Sequence, residues 1–353
     1  MMSGHIEHEE GFIPKFLLEE LAEKGNEDAK RTLAGMAELA KKEKQVKKTE
    51  GQAVNNAFEA SHNPKCVVYD SQGTGELRYK LSRKEGDALH NDQAVNLTFD
   101  YSSKTLEYFK HKLNRNSIDD EGMDVICNVH FKKNYNNAVW LPNQNQLAIG
   151  DGDGKWFINL SKSLDVVAHE MAHGVTQYVN HLDYMRQSGA LNEHFSDVIG
   201  TAVQQYVKGQ TARTADWLIG DEIVGSEFPG KALRSMKEPG TAYIGDRQVS
   251  HFSKYMEIPL GDDGGGVHYY SGIPNRAFYL AAMELGTDPA AYLWYTALQD
   301  RETIKHNAKF TDLLQALLIA GEKLVRQGKL PQSAVAVITK VFSDVGILLP
   351  VHA

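Results

Sequence analysis

Apolar residues recur at three- and four-residue spacing over 15–47, through Phe16, Leu17, Leu21, Leu33, Met36, Ala37, Leu39 and Ala40, with a break at Gly25-Asn26. That period predicts two short helices. The segment then runs into Lys41, Lys42, Lys44, Lys47 and Lys48 and on through Gly51, Gln52, Asn55 and Asn56, which reads as a mobile linker or as a solvated helix end. A small helical unit on an exposed, protease-accessible tether is the form a removable pro-segment would take. From about 65 to 160 the pattern changes to short β-type runs between turn residues: Cys66-Val67-Val68-Tyr69, Glu76-Leu77-Arg78-Tyr79, Val125 to His130 and Gln146 to Ile149. One helix, about 92–113, interrupts them. Gly150-Asp151-Gly152-Asp153-Gly154 reads as a turn rather than a calcium loop. Beyond about 164 the helical period dominates, with long polar loops at 208–233 and 238–266. No internal repeat is visible.

Composition narrows the picture. The 353 residues, with 42% hydrophobic and 24% charged, allow two or three ordinary globular domains. Thirty-eight Lys and Arg against 46 Asp and Glu leave a formal charge of −8, and no basic face is apparent, which argues against a nucleic-acid partner. The richest apolar run, Leu313 to Ala320, is far short of the roughly 18 residues that cross a bilayer. The N-terminal residues show no basic-then-apolar leader. Cys66 and Cys127 lack the paired spacing of a zinc knuckle or redox dithiol and read as lone buried thiols.

The chemistry begins at His169-Glu170-Met171-Ala172-His173, inside a segment of helical period, Leu164–Tyr178. Four residues are close to one turn, so the two imidazoles project from one face and can meet one ion, with Glu170 beside them. Taken alone this is a moderate signal, since a pair of surface helix histidines looks the same. A catalytic zinc needs a third protein ligand and an open position for water. Twenty residues past His173, in Ser188-Gly189-Ala190-Leu191-Asn192-Glu193-His194-Phe195-Ser196-Asp197, Gly189 is expected to end a loop and Glu193 to fall in the opening turn of another helix. Glu193 and Asp197 are four apart, so one can bind metal while the other accepts a hydrogen bond from a ligating imidazole.

With these come Asn136-Asn137-Ala138-Val139-Trp140, the Gly150–Gly154 run, Asp165-Val166-Val167-Ala168-His169-Glu170, Leu233-Arg234-Ser235-Met236 and Gly265-Gly266-Val267-His268-Tyr269-Tyr270-Ser271-Gly272-Ile273-Pro274-Asn275. In that order, over about 65–347, the chain resembles thermolysin-family zinc metallopeptidases, and among them the protealysin-type branch with a short pro-segment. The resemblance implies an α+β fold of two lobes, β-rich and then mostly helical, with the zinc helix between them. The domains would be a helical propeptide and linker (1–60), a β-rich lobe (61–163) and a helical lobe (164–353). It further implies one catalytic zinc on His169, His173 and Glu193, Glu170 as general base, Tyr184 and His268 as donors to the developing oxyanion, and Asp263 as the carboxylate orienting His268. Asn137 and Ala138 would pair with extended substrate, and Arg234 would bind its carbonyl. Leu160, Val166 and Leu233 would line a pocket for a bulky apolar residue just after the cleaved bond.

Asp165, Asp216 and Asp221 match carboxylates of the family's paired calcium site, but Gln204 and Leu218 stand where two further acidic ligands belong. Calcium takes about 6–8 oxygen ligands, so one calcium or none is expected. Ile13-Pro14-Lys15-Phe16-Leu17-Leu18 resembles the branch's pro-segment motif and implies an intramolecular inhibitor, cleaved off somewhere about 45–62. The expected partners are polypeptide substrates and this propeptide, on a monomer that binds neither nucleic acid nor membrane. Location is expected to be extracellular by a route without a recognisable leader, with the cytoplasm as the alternative. Two competing functions are a zinc aminopeptidase and an inhibited precursor acting as a binding protein.

Overall fold

The structure is a computed structural model that describes residues 11–49 and 63–349, with the side chains of 43–49 left aside. The leader reading over 1–10 and most of the expected cleavage region lie outside the described residues. The chain divides into two compact units, His8–Gly174 with Glu222–Phe228, and Val175–Asp221 with Pro229–Ala353.

In the first unit, helix α1 (Lys15–Glu23) buries Phe16, Leu17, Leu18 and Leu21. Gly25, at φ +89°, ends the turn, and the Asn26 side chain caps α2 (Glu27–Thr49) by accepting from the Asp28 and Ala29 amides. The lysine-rich stretch therefore stays helical as far as Thr49. Five strands follow: β1 (Cys66–Asp70), β2 (Lys80–Lys84), β3 (Val125–Val129), β4 (Ala138–Leu141) and β5 (Gln146–Ile149). Their order is β2-β1-β3-β5-β4, with β1, β3 and β5 parallel and the outer two antiparallel to their neighbours. The expected strand at 76–79 is instead a turn. Arg78 sits at φ +53° with its amide bound to Asn128 Oδ1, and the edge strand forms four residues later from the charged run Lys80–Lys84. Charge on an edge strand is a normal guard against edge-to-edge pairing. Helix α3 (Gln93–Tyr108), capped by Asp92, ends in a π turn at Phe109–Leu113. Cys66 and Cys127 are free and buried, and burial pushes the Cys127 thiol up to about 12. Helix α4 (Leu164–Val179) begins in this unit, and the division falls within it.

The second unit is built on α5 (Arg186–Lys208), which is buried continuously from Ser188 to Gln205. The helix starts earlier than the glycine suggests. Gly189 lies inside it and Glu193 two turns in, because at position 189 a Cβ would come within 2.4 Å of Val267 Cγ1. Here glycine permits close helix approach and does not end a loop. A short ribbon pairs β6 (Leu218–Ile219) with β7 (Arg234–Ser235) inside the first polar loop. Helix α6 (Asp263–Tyr270) opens with Asp263 to Gly266 all at positive φ, and α7 (Gly272–Leu285), α8 (Thr287–Leu298), α9 (Phe310–Arg326) and α10 (Ala334–Asp344) complete the bundle. None of the described helices is long and apolar enough to cross a membrane.

Candidate metal centre and catalytic groups

Helix α4 is buried nearly all round, Leu164, Val166, Val167, Ala168, Met171, Ala172 and Val175 being buried together with His169, Glu170 and His173, so its polar residues stand in the interior. His169 and His173 bring their Nε2 atoms to 3.0 Å, and these with a Glu170 oxygen lie within 4.8 Å of one another. Tetrahedral zinc with bonds of about 2.0–2.1 Å separates neighbouring donors by about 3.3 Å. The imidazole pair therefore fits zinc, and its nitrogen donors do not suit calcium. Glu170 Oε2 accepts from the Trp140 backbone amide on β4 at 2.6 Å, which ties the carboxylate to the sheet edge.

That edge is occupied by the chain's own N-terminal segment. Phe12 N donates to Ala138 O at 3.0 Å, and the Asn137 side chain brackets Ile13, accepting from its N at 2.8 Å and donating to its O at 3.1 Å. The Phe12 ring stands edge-on to His169, 5.0 Å between centroids. Gly11 turns the segment in at φ +88°, where a Cβ would lie 2.5 Å from Ala138 O. Behind it, α2 is pinned by Thr32 Oγ1 accepting from Asn136 N, by Asn134 on Asp28, by Asn26 on Asp153, and by a 2.7 Å Lys132–Glu38 ion pair. The Lys132 hydrogen bond, with Lys42 adding to it, holds the Glu38 carboxyl down at about 2.

The second unit gathers its own polar cluster. Tyr184 Oη donates to Glu193 Oε1 at 2.5 Å, and His268 Nε2 lies 3.4 Å from Glu193 Oε2. Asp263 receives both His268 Nδ1, at 2.6 Å, and the His268 backbone amide, at 2.8 Å. Burial alone would lower the His268 pKa, but the charges of Glu193 and Asp263 and the Asp263 hydrogen bond outweigh it and raise it to about 9. Arg234 forks onto Asp197, Nε to Oδ2 at 3.0 Å and Nη2 to Oδ1 at 2.9 Å.

Two family models cover the chain: the catalytic domain of thermolysin metallopeptidase over residues 32–177 and its alpha-helical domain over 180–347. An extracellular metalloprotease of Pectobacterium carotovorum subsp. carotovorum is 46% identical over 251 residues, 69% of this chain and 71% of its own. Protease PrtS of Photorhabdus sp. (strain Az29) is 37% identical over 309 residues, 83% of this chain and 81% of its own. The chain belongs to the thermolysin family. It is a zinc-dependent metalloendopeptidase of that family, and His169, Glu170 and His173 are a buried group whose donor atoms lie close enough together to meet at one ion. The solved precursor of protealysin, a metalloproteinase from Serratia proteamaculans, is similar in structure with a TM-score of 0.83, 34% identity, and coverage of 96% of this chain and 99% of that one.

The residues expected to hold calcium have local partners. Asp165 accepts from Ser163 Oγ and its neighbour's amide, Asp216 accepts from the Leu218 amide, and Asp221 opens a short 3₁₀ turn. Among the described residues, the one group of three metal-binding side chains is His169, Glu170 and His173. Asp151 and Asp153 are likewise engaged by protein donors, His130 and Asn159 on the first and the 155–157 amides on the second. Leu160, Val166 and Leu233 are buried. Sequence reasoning missed the Trp140 amide on Glu170 and the Phe12 ring against His169. Backbone donors leave no residue signature, and a lone Phe ahead of a helix has no pattern to mark it.

Proposed function

We propose that the protein is the zymogen of an endopeptidase that cleaves extended polypeptides before bulky apolar residues, with zinc on His169, His173 and Glu193. The observation that carries this reading is the pair of buried imidazole nitrogens 3.0 Å apart with Glu170 next to them. Zinc, when bound, makes water a nucleophile near neutral pH and polarises the substrate carbonyl. Glu170, oriented by the Trp140 amide, takes the water proton and returns it to the leaving amine. His268, oriented by the Asp263 carboxylate on its Nδ1, and Tyr184 donate to the carbonyl oxygen as negative charge develops there.

Substrate would add to the β4 edge as an extended strand, bonding to Ala138 and the Asn137 side chain, a contact indifferent to sequence. Arg234 binds the carbonyl after the cleaved bond, and Leu160, Val166 and Leu233 supply the apolar pocket. The bonds that Phe12 and Ile13 make to Ala138 and Asn137 are of the kind an extended substrate would need, so the intact N-terminal segment is an intramolecular inhibitor. Its release removes up to about 60 residues, leaving a β-rich lobe to about 163 and a helical lobe beyond. With Gln204 and Leu218 replacing acidic ligands beside Asp165, Asp216 and Asp221, one calcium at most binds there. The relative described as extracellular supports release of the protein from the cell.

The test is metal analysis together with cleavage of an N-terminally blocked peptide carrying Leu or Phe after the scissile bond, on the full chain and after removal of 1–60. One zinc per chain, activity lost to a chelator and restored by zinc, and strong activation on trimming are expected. Absence of cleavage of the blocked peptide, with cleavage of an unblocked one, would favour an aminopeptidase.

A further inference from the structure

A directed line of hydrogen bonds crosses the second unit from α8 to β7. Trp294 Nε1 lies 2.7 Å from His194 Nε2, His194 Nδ1 lies 2.7 Å from Asn275 Oδ1, and Asn275 Nδ2 lies 2.8 Å from Asp197 Oδ2, where Arg234 completes the line. All five residues are buried. An indole N–H can only donate, so His194 Nε2 must offer a lone pair and the ring proton must sit on Nδ1. An imidazolium here would set one N–H against another. The Nδ1 proton is then donated to Asn275 Oδ1, which turns that amide so that its NH₂ faces Asp197. Every bond direction in the line follows from the single indole N–H.

The Asn275 amide adds a lateral donor on Oδ2 beside the arginine fork, and a carboxylate held from the side as well as from the front turns less about its own side-chain bond, as does the guanidinium it holds. Polar groups buried together are favourable only when each is satisfied, and this line is satisfied at each step from Trp294 to Arg234. We propose that His194 is a positioning residue for Arg234, acting through Asn275 and Asp197, with Trp294 selecting the tautomer that makes the action possible. This rests on the reading of Arg234 as the residue that binds the substrate carbonyl, an interaction made in ground and transition states alike, so its misplacement should raise KM more than it lowers kcat.

The experiment uses the matured, zinc-loaded enzyme and the blocked peptide, with rates expressed per bound zinc. His194→Leu should raise KM about tenfold with kcat changed by no more than about twofold, the size of one lost buried hydrogen bond. His194→Asn, whose amide nitrogen can stand where Nδ1 stood, should recover most of that loss. Histidine ¹⁵N spectra of the unmutated enzyme should show the Nδ1-protonated tautomer for the signal that vanishes in His194→Asn. Adding His194→Leu to Arg234→Met should raise KM no further. An Nε2-protonated ring, or a lower Tm with unchanged KM in His194→Leu while Arg234→Met raises KM, overturns the proposal and leaves the Arg234 reading standing. Unchanged KM in Arg234→Met overturns that reading and the proposal with it.

Discussion

Glu170 and Glu193 are both buried glutamates on helices, yet their surroundings differ in kind. Glu170 is steadied by a backbone amide of the sheet edge, a fixed dipole without a proton to exchange at working pH. Glu193 is met by a tyrosine hydroxyl and an imidazole that itself leans on a second carboxylate. A group that must pass a proton back and forth is best held by something that does not titrate. A group that must stay anionic as a ligand gains from neighbours that favour its charge. On the roles proposed above, the contrast is a division of labour, with proton transfer on α4 and charge stabilisation on α5 and α6.

The largest effect should come from Glu170→Gln, which keeps the shape and removes the base. Activity should fall by about 10²–10⁴-fold or more, and the full-length chain should accumulate unprocessed if maturation is autocatalytic. Normal processing of that variant would break the contrast on the α4 side. Next is His268→Ala, expected to cost about 10²–10³ in kcat while leaving zinc content near the unmutated level. The same histidine sets a pH limb. It donates only when protonated, and without zinc the charges of Glu193 and Asp263 raise its pKa to about 9. Zinc on Glu193 would withdraw part of that charge, so kcat/KM of the loaded enzyme should fall with rising pH along a limb below that region, and the limb should vanish in His268→Ala.

A smaller effect tests the inhibitor. Gly11→Ala would drive a Cβ into Ala138 O and force an unfavourable φ, so the full-length chain should lose inhibition by several-fold, on the order of 1–2 kcal/mol of docking energy. The smallest concerns the first unit away from the metal. His130 is clamped between Asp151 at 2.8 Å and Asp92 at 3.0 Å, and the Asp151 hydrogen bond, against a burial penalty, raises its pKa to about 9. A raised folded-state pKa stabilises fully below the unfolded value near 6.5 and ceases to do so as pH climbs through 9. His130→Gln should therefore lower stability by about 1 kcal/mol at pH 6, allowing for solvent screening, and by much less at pH 10. Urea melts at the two pH values measure it.

How far the sequence could be read follows the same contrast. The metal helix is local: four-residue spacing places two imidazoles together whatever the rest of the fold does. The N-terminal helices were legible for a similar reason, since Gly25 and Asn26 punctuate a clean period. The Glu193 cluster draws on residues 184, 193, 263 and 268, and nothing in local spacing joins them, so Glu193 alone was reached as a third ligand from the residues, and Tyr184, Asp263 and His268 through family likeness. The strand misplaced at 76–79 shows the limit of periodicity, because Leu77 and Tyr79 alternate well but a side-chain bond from Asn128 bends the chain at Arg78. The start of α5 was missed because glycine signals both chain reversal and close packing, and only the neighbouring Val267 decides between them.

The most direct test of the division of labour is bound zinc per chain, by elemental analysis, in Glu170→Gln and Glu193→Gln purified side by side. The account predicts one zinc retained in the first, which is inactive, and zinc largely lost from the second. Zinc lost from Glu170→Gln, or retained at full stoichiometry in Glu193→Gln, would contradict it.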